Sequence, residues 1–124
     1  MPKKESFTKN LLKIEIRKVR GSIKVKWSGK SIDREPAKFI TPILIDVHKD
    51  GHGQSKPIIL DFQDLEYMNS STITPIIKIL ERAKKGKIKV TVLYDKSLKW
   101  QELSFSALEI FQTKDKRVQI KGLN

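Results

Sequence analysis

Apolar and polar residues alternate strictly in two short stretches near the start of the chain. Leu12, Ile14 and Ile16 are separated by Lys13 and Glu15 and followed by Arg17, while Ile23, Val25 and Trp27 are separated by Lys24 and Lys26. A strand with one buried face requires this period of two, because successive side chains point to opposite sides of a sheet. The intervening Lys18-Val19-Arg20-Gly21-Ser22 reads as a turn, so the two strands are expected to pair as an antiparallel hairpin. From about Glu35 the period changes. Phe39, Ile43 and Val47 recur every four residues with Ile40 and Leu44 beside them, the stripe of an amphipathic helix. Ser31 or Asp33 reads as its cap, Pro36 fits a first turn and Gly51 a stop. Pro42 falls mid-segment, where it kinks the helix or delays its start. His48 to Lys56 reads as a loop.

Ile58-Ile59-Leu60-Asp61-Phe62 is a nearly continuous apolar run, the sign of a strand covered on both faces. A second helix is expected to run to Lys85, with Ile73, Ile76, Ile77, Leu80 and Ala83 inward and Gly86 as its stop. Ile88, Val90, Val92 and Tyr94 make the next strand. Leu98 to Phe111 reads as a third helix carrying Leu103, Leu108 and Phe111 inward, and Arg117 to Lys121 as a final strand around Val118 and Ile120. The order β-β-α-β-α-β-α-β predicts an α/β fold with a mixed sheet of about five strands. Its later strands are joined by parallel crossovers and its first hairpin adds an antiparallel edge. One domain over residues 11–124 is expected, with residues 1–10 a flexible polar arm.

Composition narrows the function. At 124 residues without cysteine, the chain supports one core and has no disulfide, thiolate or cysteine-ligated zinc chemistry. No apolar run reaches the length of a membrane span and no signal-like stretch follows the charged N-terminus, so a soluble cytoplasmic domain is the expectation. The net charge of +12 raises nucleic acid as a partner. Lys13, Arg17, Lys24 and Lys26 are expected to share the outward face of the first hairpin, with Trp27 or Phe7 available to stack on a base. No helix carries a recognition-type cluster of Arg, Asn and Gln, and lysine also fills solvent faces for solubility and edge protection. Nucleic-acid binding through this hairpin is therefore the alternative function rather than the first.

Enzyme readings find little support. There is no Gly-rich phosphate loop and no nucleophile elbow, and no general base accompanies a nucleophile. His48, Asp50 and His52 share one stretch, and Asp61, Asp64 and Glu66 another. Either set has metal-binding residue types, but solvated loop histidines and carboxylates around a strand end account for both, and neither a metal nor a cofactor is expected.

The segment Asn69-Ser70-Ser71-Thr72 joins the central strand to the second helix through small hydroxyl and amide side chains. Such groups cap a helix, whose first backbone N–H groups lack partners. Thr74 as cap with Pro75 at the first helical position is an equally good boundary, which would leave Ser70 to Thr72 as an exposed turn. A phosphate at this electropositive end would be stabilised, so an exposed hydroxyl here makes a switch.

In its strand–turn–helix setting, this block resembles the STAS family, the domain of bacterial anti-sigma-factor antagonists. The family signature is an apolar strand ending in Asp, a short bridge, then Asp-Ser-Ser-Gly opening an amphipathic helix. Ile58 to Phe62 matches the strand, Asn69 to Thr72 occupies the signature, and Lys85-Gly86-Lys87-Ile88-Lys89-Val90 looks like the following helix-to-strand step. Asn69 stands where the family usually has Asp, and Thr72 where it has Gly. That version is similar to the SiaC-like regulatory phosphoproteins, as are Gly29-Lys30-Ser31, Glu35-Pro36, Phe39 and Pro42 around the first helix. The resemblance implies a single STAS-like domain with helices mainly on one face of the sheet. It also implies a non-enzymatic module whose partner binding is switched by reversible serine phosphorylation. Ser71 is the acceptor implied by the Asp-Ser-Ser-Gly pattern, and the Asn branch leaves Ser70 open. Asn69, Thr72 and Ser31 are the implied partner-binding residues. The implied partners are a serine/threonine kinase of the anti-sigma type and a metal-dependent phosphatase, with a diguanylate cyclase or a sigma-factor pathway downstream. The chain is expected to be a monomer or weak dimer.

Overall fold

A computed structural model describes residues 3–124 of the chain. Six strands form one sheet in the spatial order β1-β2-β3-β4-β5-β6, which is also the order along the chain. The strands are β1 (Lys3–Lys9), β2 (Leu12–Lys18), β3 (Ile23–Ser31), β4 (Ile58–Met68), β5 (Val90–Asp95) and β6 (Val118–Leu123). The helices are α1 (Ala37–Gln54), α2 (Ile73–Lys85) and α3 (Lys99–Ser106). β1, β2 and β3 pair antiparallel, and β3 to β6 pair parallel through one helix per crossover. The mixed α/β sheet expected from the sequence is therefore present with one strand more. The stretch expected as a flexible arm supplies that strand, since Lys3–Lys9 pairs with β2 along its length. Its polar residues hid it: an edge strand with one face in solvent needs few apolar side chains, and its charges guard the edge. Residues 1 and 2 lie outside the described part.

Alternation accounts for the core. Leu12, Ile14 and Ile16 of β2, Ile23, Val25 and Trp27 of β3, and Val90, Val92 and Tyr94 of β5 are buried on the face that all three helices cover. Trp27, Phe62 and Phe105 stack through this layer at ring-centroid distances of 4.7 Å each, and Tyr94 meets Phe105 at 5.7 Å. Trp27 is wholly buried and Phe7 packs partly against the core, so neither is presented for base stacking as the sequence had suggested. The opposite face carries no helix. On β4, Ile59 is half-buried and Asp61 lies beneath the Lys24 ammonium at 3.5 Å, so this strand is not covered on both faces by apolar layers.

Four helix expectations change. α1 continues through His48 to Gln54, so the expected loop is its last turns. Gly51 is inside the helix: a Cβ there would lie 3.0 Å from Ile58 Cδ1, so the glycine permits close helix–strand packing instead of stopping the helix. Neither Ser31 nor Asp33 caps α1, because β3 extends to Ser31 and the helix opens after Pro36. In α3, Leu103 faces solvent and Phe105 takes the inward position, a phase error made possible by apolar residues on both sides of a short helix.

The outer edge of β6 is partly closed by the chain before it. Thr113 Oγ1 accepts from the Val118 N–H at 3.1 Å, the Thr113 N–H donates to the Val118 carbonyl at 3.2 Å, and Gln112 Oε1 accepts from the Ile120 N–H at 3.0 Å. Just before β6, Arg117 reaches the end of α2 and donates to the carbonyls of Ala83 at 2.8 Å, Lys84 at 3.1 Å and Gly86. The Ala83 and Lys84 carbonyls belong to the last turn of α2, whose carbonyls find no N–H within the helix, and Gly86 directly follows it.

Arg117→Ala should lower stability by about 1–2 kcal/mol, read as a lower urea midpoint with an unchanged slope. His48 lies in α1 with Nε2 buried and unpartnered among the described residues. Burial, then the charges of Arg82 and His52, hold its pKa below the usual 6.5. The unfolded chain binds this proton more readily, so stability is full above about pH 7 and falls as pH drops through about 6.5, levelling off below the folded-state pKa. Urea midpoints of His48→Gln compared at about pH 7.5 and about pH 5 should show less acid loss than the parent chain.

Candidate functional site

β4 is the longest strand and outruns its neighbour. Its pairing with β5 ends at Asp61, whereas its pairing with β3 continues to Ser31 opposite Met68. The free side of β4 beyond that point needs partners for its backbone, and a buried amide on α3 supplies them. Gln101 Nε2 donates to the carbonyls of Phe62 at 2.7 Å and Leu65 at 2.9 Å, while its Oε1 accepts from the Asp95 N–H at 2.8 Å. Gln101 is fully buried with this amide satisfied, and it fixes the end of β4 to the helix layer. Sequence reading passed it over because a lone glutamine in an amphipathic helix gives no signal.

After Met68 the chain makes a short 3₁₀ turn, Ser70–Thr72, that runs directly into α2. Asn69 caps it, with Oδ1 accepting from the Thr72 N–H at 3.2 Å. The boundary is therefore at Asn69 rather than Thr74, and Pro75 lies within the first turn of α2, where a missing N–H is tolerated.

Beneath the turn is a directed chain of hydrogen bonds. The Thr72 hydroxyl donates to Asn69 Oδ1 at 2.7 Å, which spends its one proton. The Ser31 hydroxyl, 2.7 Å from Thr72 Oγ1, must then be the donor in that pair. At the other end, Asn69 Nδ2 donates to the Asp33 carbonyl at 2.7 Å, and the Asn69 backbone N–H donates to the Ser31 carbonyl at 3.0 Å. The turn is thus tied to the segment leading from β3 into α1.

On its other side β3 lies close to the Leu11 backbone, which Gly29 permits. This glycine has φ +82 at a register shift in the β3–β4 ladder, and a Cβ there would lie 1.9 Å from the Leu11 carbonyl oxygen. Gly29-Lys30-Ser31 consequently belongs to the end of β3, not to the first helix.

The five expected site residues meet here but divide into two groups. Ser31 and Thr72 are buried, at 1% and 0% exposure, so their side chains cannot touch a docked partner directly. They hold the turn in shape. Asn69 is half-buried and joins both segments, while Ser70 and Ser71 stand exposed on the turn. Exposed Tyr67 and Ile32 flank them on the two tied segments.

The other candidate clusters dissolve into ion pairs. Lys4 and Lys13 approach Glu15 at 3.3 and 3.2 Å, and Lys13, then Lys4, lower its carboxyl pKa. Lys24 pairs with Asp61 and Lys26 with Asp64 at 3.0 Å. Of the four residues expected to form a basic stripe, three share their face with carboxylates, which removes the support for a phosphate-backbone track. Asp61 and Asp64 have lysine partners, and the two histidines lie in α1; among the described residues no metal-binding group of three or more His, Asp or Glu side chains forms.

The hydrogen-bond chain predicts a cost for restoring the more usual acid. In Asn69→Asp the cap acceptor survives, but a carboxylate oxygen faces the Asp33 carbonyl where a donor stood. The variant should lose about 1–3 kcal/mol in chemical denaturation and exchange amides 70–72 faster. Equal or greater stability than the parent would contradict this account of Asn69.

Comparison with known proteins agrees with this geometry. A search of curated proteins finds no match. A solved structure of an uncharacterised DUF3478-family protein with a SpoIIAA-like fold, from Shewanella loihica PV-4, is similar with a TM-score of 0.52 and 16% sequence identity, covering 95% of this chain and 91% of that one. The likeness is one of fold, and it supports the STAS-like architecture. The model of the SiaC family regulatory phosphoproteins matches residues 8–102, which include the tied segments, the exposed serines and Gln101. The chain therefore belongs to the SiaC family of regulatory phosphoproteins.

Proposed function

We propose that this protein is a non-enzymatic signalling module of the bacterial cytoplasm whose partner binding is switched by phosphorylation of Ser71 or Ser70. The observation that carries the reading is the contrast within one turn. Thr72 is buried and hydrogen-bonded, whereas Ser70 and Ser71 are exposed at a fixed position beside Tyr67 and Ile32. A kinase needs an accessible hydroxyl, and a switch needs that hydroxyl inside the surface a partner covers. The two serines meet the first condition and Thr72 does not, and the exposed Tyr67 and Ile32 beside them support the second.

A serine/threonine kinase of the anti-sigma type would transfer the γ-phosphoryl group of ATP to the serine oxygen, with ADP leaving and the hydroxyl proton released. A metal-dependent phosphatase would return the serine by hydrolysis. The unmodified module would bind a downstream partner, either a diguanylate cyclase or a component of a sigma-factor pathway. Phosphate adds about −1.5 to −2 charges to a surface that must shed water on docking. Modification is therefore expected to release the partner.

The test is intact-mass analysis of protein from its native cells, followed by affinity measurements on the partner recovered there. A phosphate-sized addition mapping to Ser70 or Ser71 is expected. Ser→Asp at the modified position should weaken the partner by about tenfold or more, and Ser→Ala should bind as the unmodified chain does. Identical binding by parent, Ala and Asp forms at both positions would end the switch reading.

A further inference from the structure

The segment after β3 carries a cation that the ion-pair network leaves unused. Arg34 is exposed, and both carboxylates beside it are engaged elsewhere. Asp33 pairs with Lys9 at 2.9 Å and Glu35 with Lys38 at 2.6 Å. Among the described residues Arg34 forms no salt bridge. A guanidinium left free between two occupied acids keeps its full capacity for an anion that arrives later.

The tie between the two segments decides which anion is near. Asn69 Nδ2 donates to the Asp33 carbonyl at 2.7 Å. Arg34 directly follows Asp33, and Ser70 directly follows Asn69. Each is one Cα step, about 3.8 Å, beyond a residue in hydrogen-bond contact with the other segment. The Ser31–Thr72 pair and the bond from the Asn69 N–H to the Ser31 carbonyl prevent the segments from drifting apart. Arginine, with one of the longest side chains, is the cation suited to bridge from one tied segment to the other.

We propose that Arg34 is the intramolecular receptor for a phosphate carried on the Ser70–Ser71 turn. The proposal rests on the reading of those serines as the modification site. Phosphate oxygens match the guanidinium fork in a bidentate, charge-assisted pair, and phosphorylation opposite an arginine orders the segment that carries it. The modification then changes more than local charge. It draws Arg34 out of solvent and over the turn, so the segment bearing Ile32 is altered together with the serines. The two states of the switch differ across both segments of the docking surface.

Lys30 is the competing cation. It is exposed and in register with Tyr67, on the ladder instead of the tied segment, and it therefore serves as the control.

The experiment uses full-length protein with phosphoserine installed at position 70, or separately at 71, during synthesis. A ³¹P NMR titration then reads the phosphate's second ionisation, ordinarily near pH 6. In at least one of the two proteins the ionisation should lie lower by about half a unit or more than in its Arg34→Gln counterpart. Arg34→Lys should retain part of the effect, and Lys30→Gln should leave it in place. Arg34→Gln changes an exposed side chain, so circular dichroism and the urea midpoint should match the parent. If Arg34→Gln leaves the ionisation unmoved in both proteins, or Lys30→Gln abolishes the shift, the proposal is overturned. Because the phosphate is installed without a kinase, this outcome is independent of whether cells modify the serines: absence of phosphate in vivo would sink the switch reading and leave the Arg34 measurement standing.

Discussion

The parallel ladder between β3 and β4 is the constraint on which the functional end of the molecule depends. It runs past the point where β5 ends its pairing with β4, and so carries two strand ends together beyond the main body of the sheet. A strand projecting in this way has unpaired backbone on its free side, which is costly when buried. Gln101 meets the need at Phe62 and Leu65 from a helix almost forty residues later in the chain. The turn that follows β4 inherits its position from this arrangement. Its own hydrogen bonds then choose which side chains face inward and which face outward.

Much of the fold was legible because its strands alternate cleanly and its second helix has a well-defined glycine stop at Gly86. The errors have separate physical causes. β1 was missed since a polar edge strand draws its stability from backbone pairing, which leaves no hydrophobic period. The true end of α1 is not legible at Gly51, because a glycine that permits close packing has the same letter as one that ends a helix. The frame of the candidate site is legible as a strand, an Asn-Ser-Ser-Thr block and a helix in sequence. What was not readable was the division of labour within it. Ser31 and Thr72 lie 41 positions apart, and nothing local to either announces that they are hydrogen-bonded.

That long-range pair also gives the two departures from the STAS signature one shared explanation. Asn69 is needed as a donor to the Asp33 carbonyl, a role that an ionised aspartate lacks. Thr72 is needed as the hydroxyl between Ser31 and Asn69, where glycine would leave the Ser31 hydroxyl without its acceptor. The substitutions belong together with Ser31 as a set of three. The high positive charge has a comparably local resolution: on the open face of the sheet, lysines are interleaved with Glu15, Asp61 and Asp64. The surplus over the whole chain does not build one concentrated field there.

The partly closed edge of β6 has a consequence for how such a module behaves in a crowded cell. A regulatory domain that must pass from one partner to another is harmed by anything that makes it adhere to its own kind. Backbone groups at Val118 and Ile120 that would otherwise recruit a foreign strand are already occupied by Gln112 and Thr113. Sheet extension across this boundary would first have to break those internal bonds, which raises the barrier to fibril-like growth.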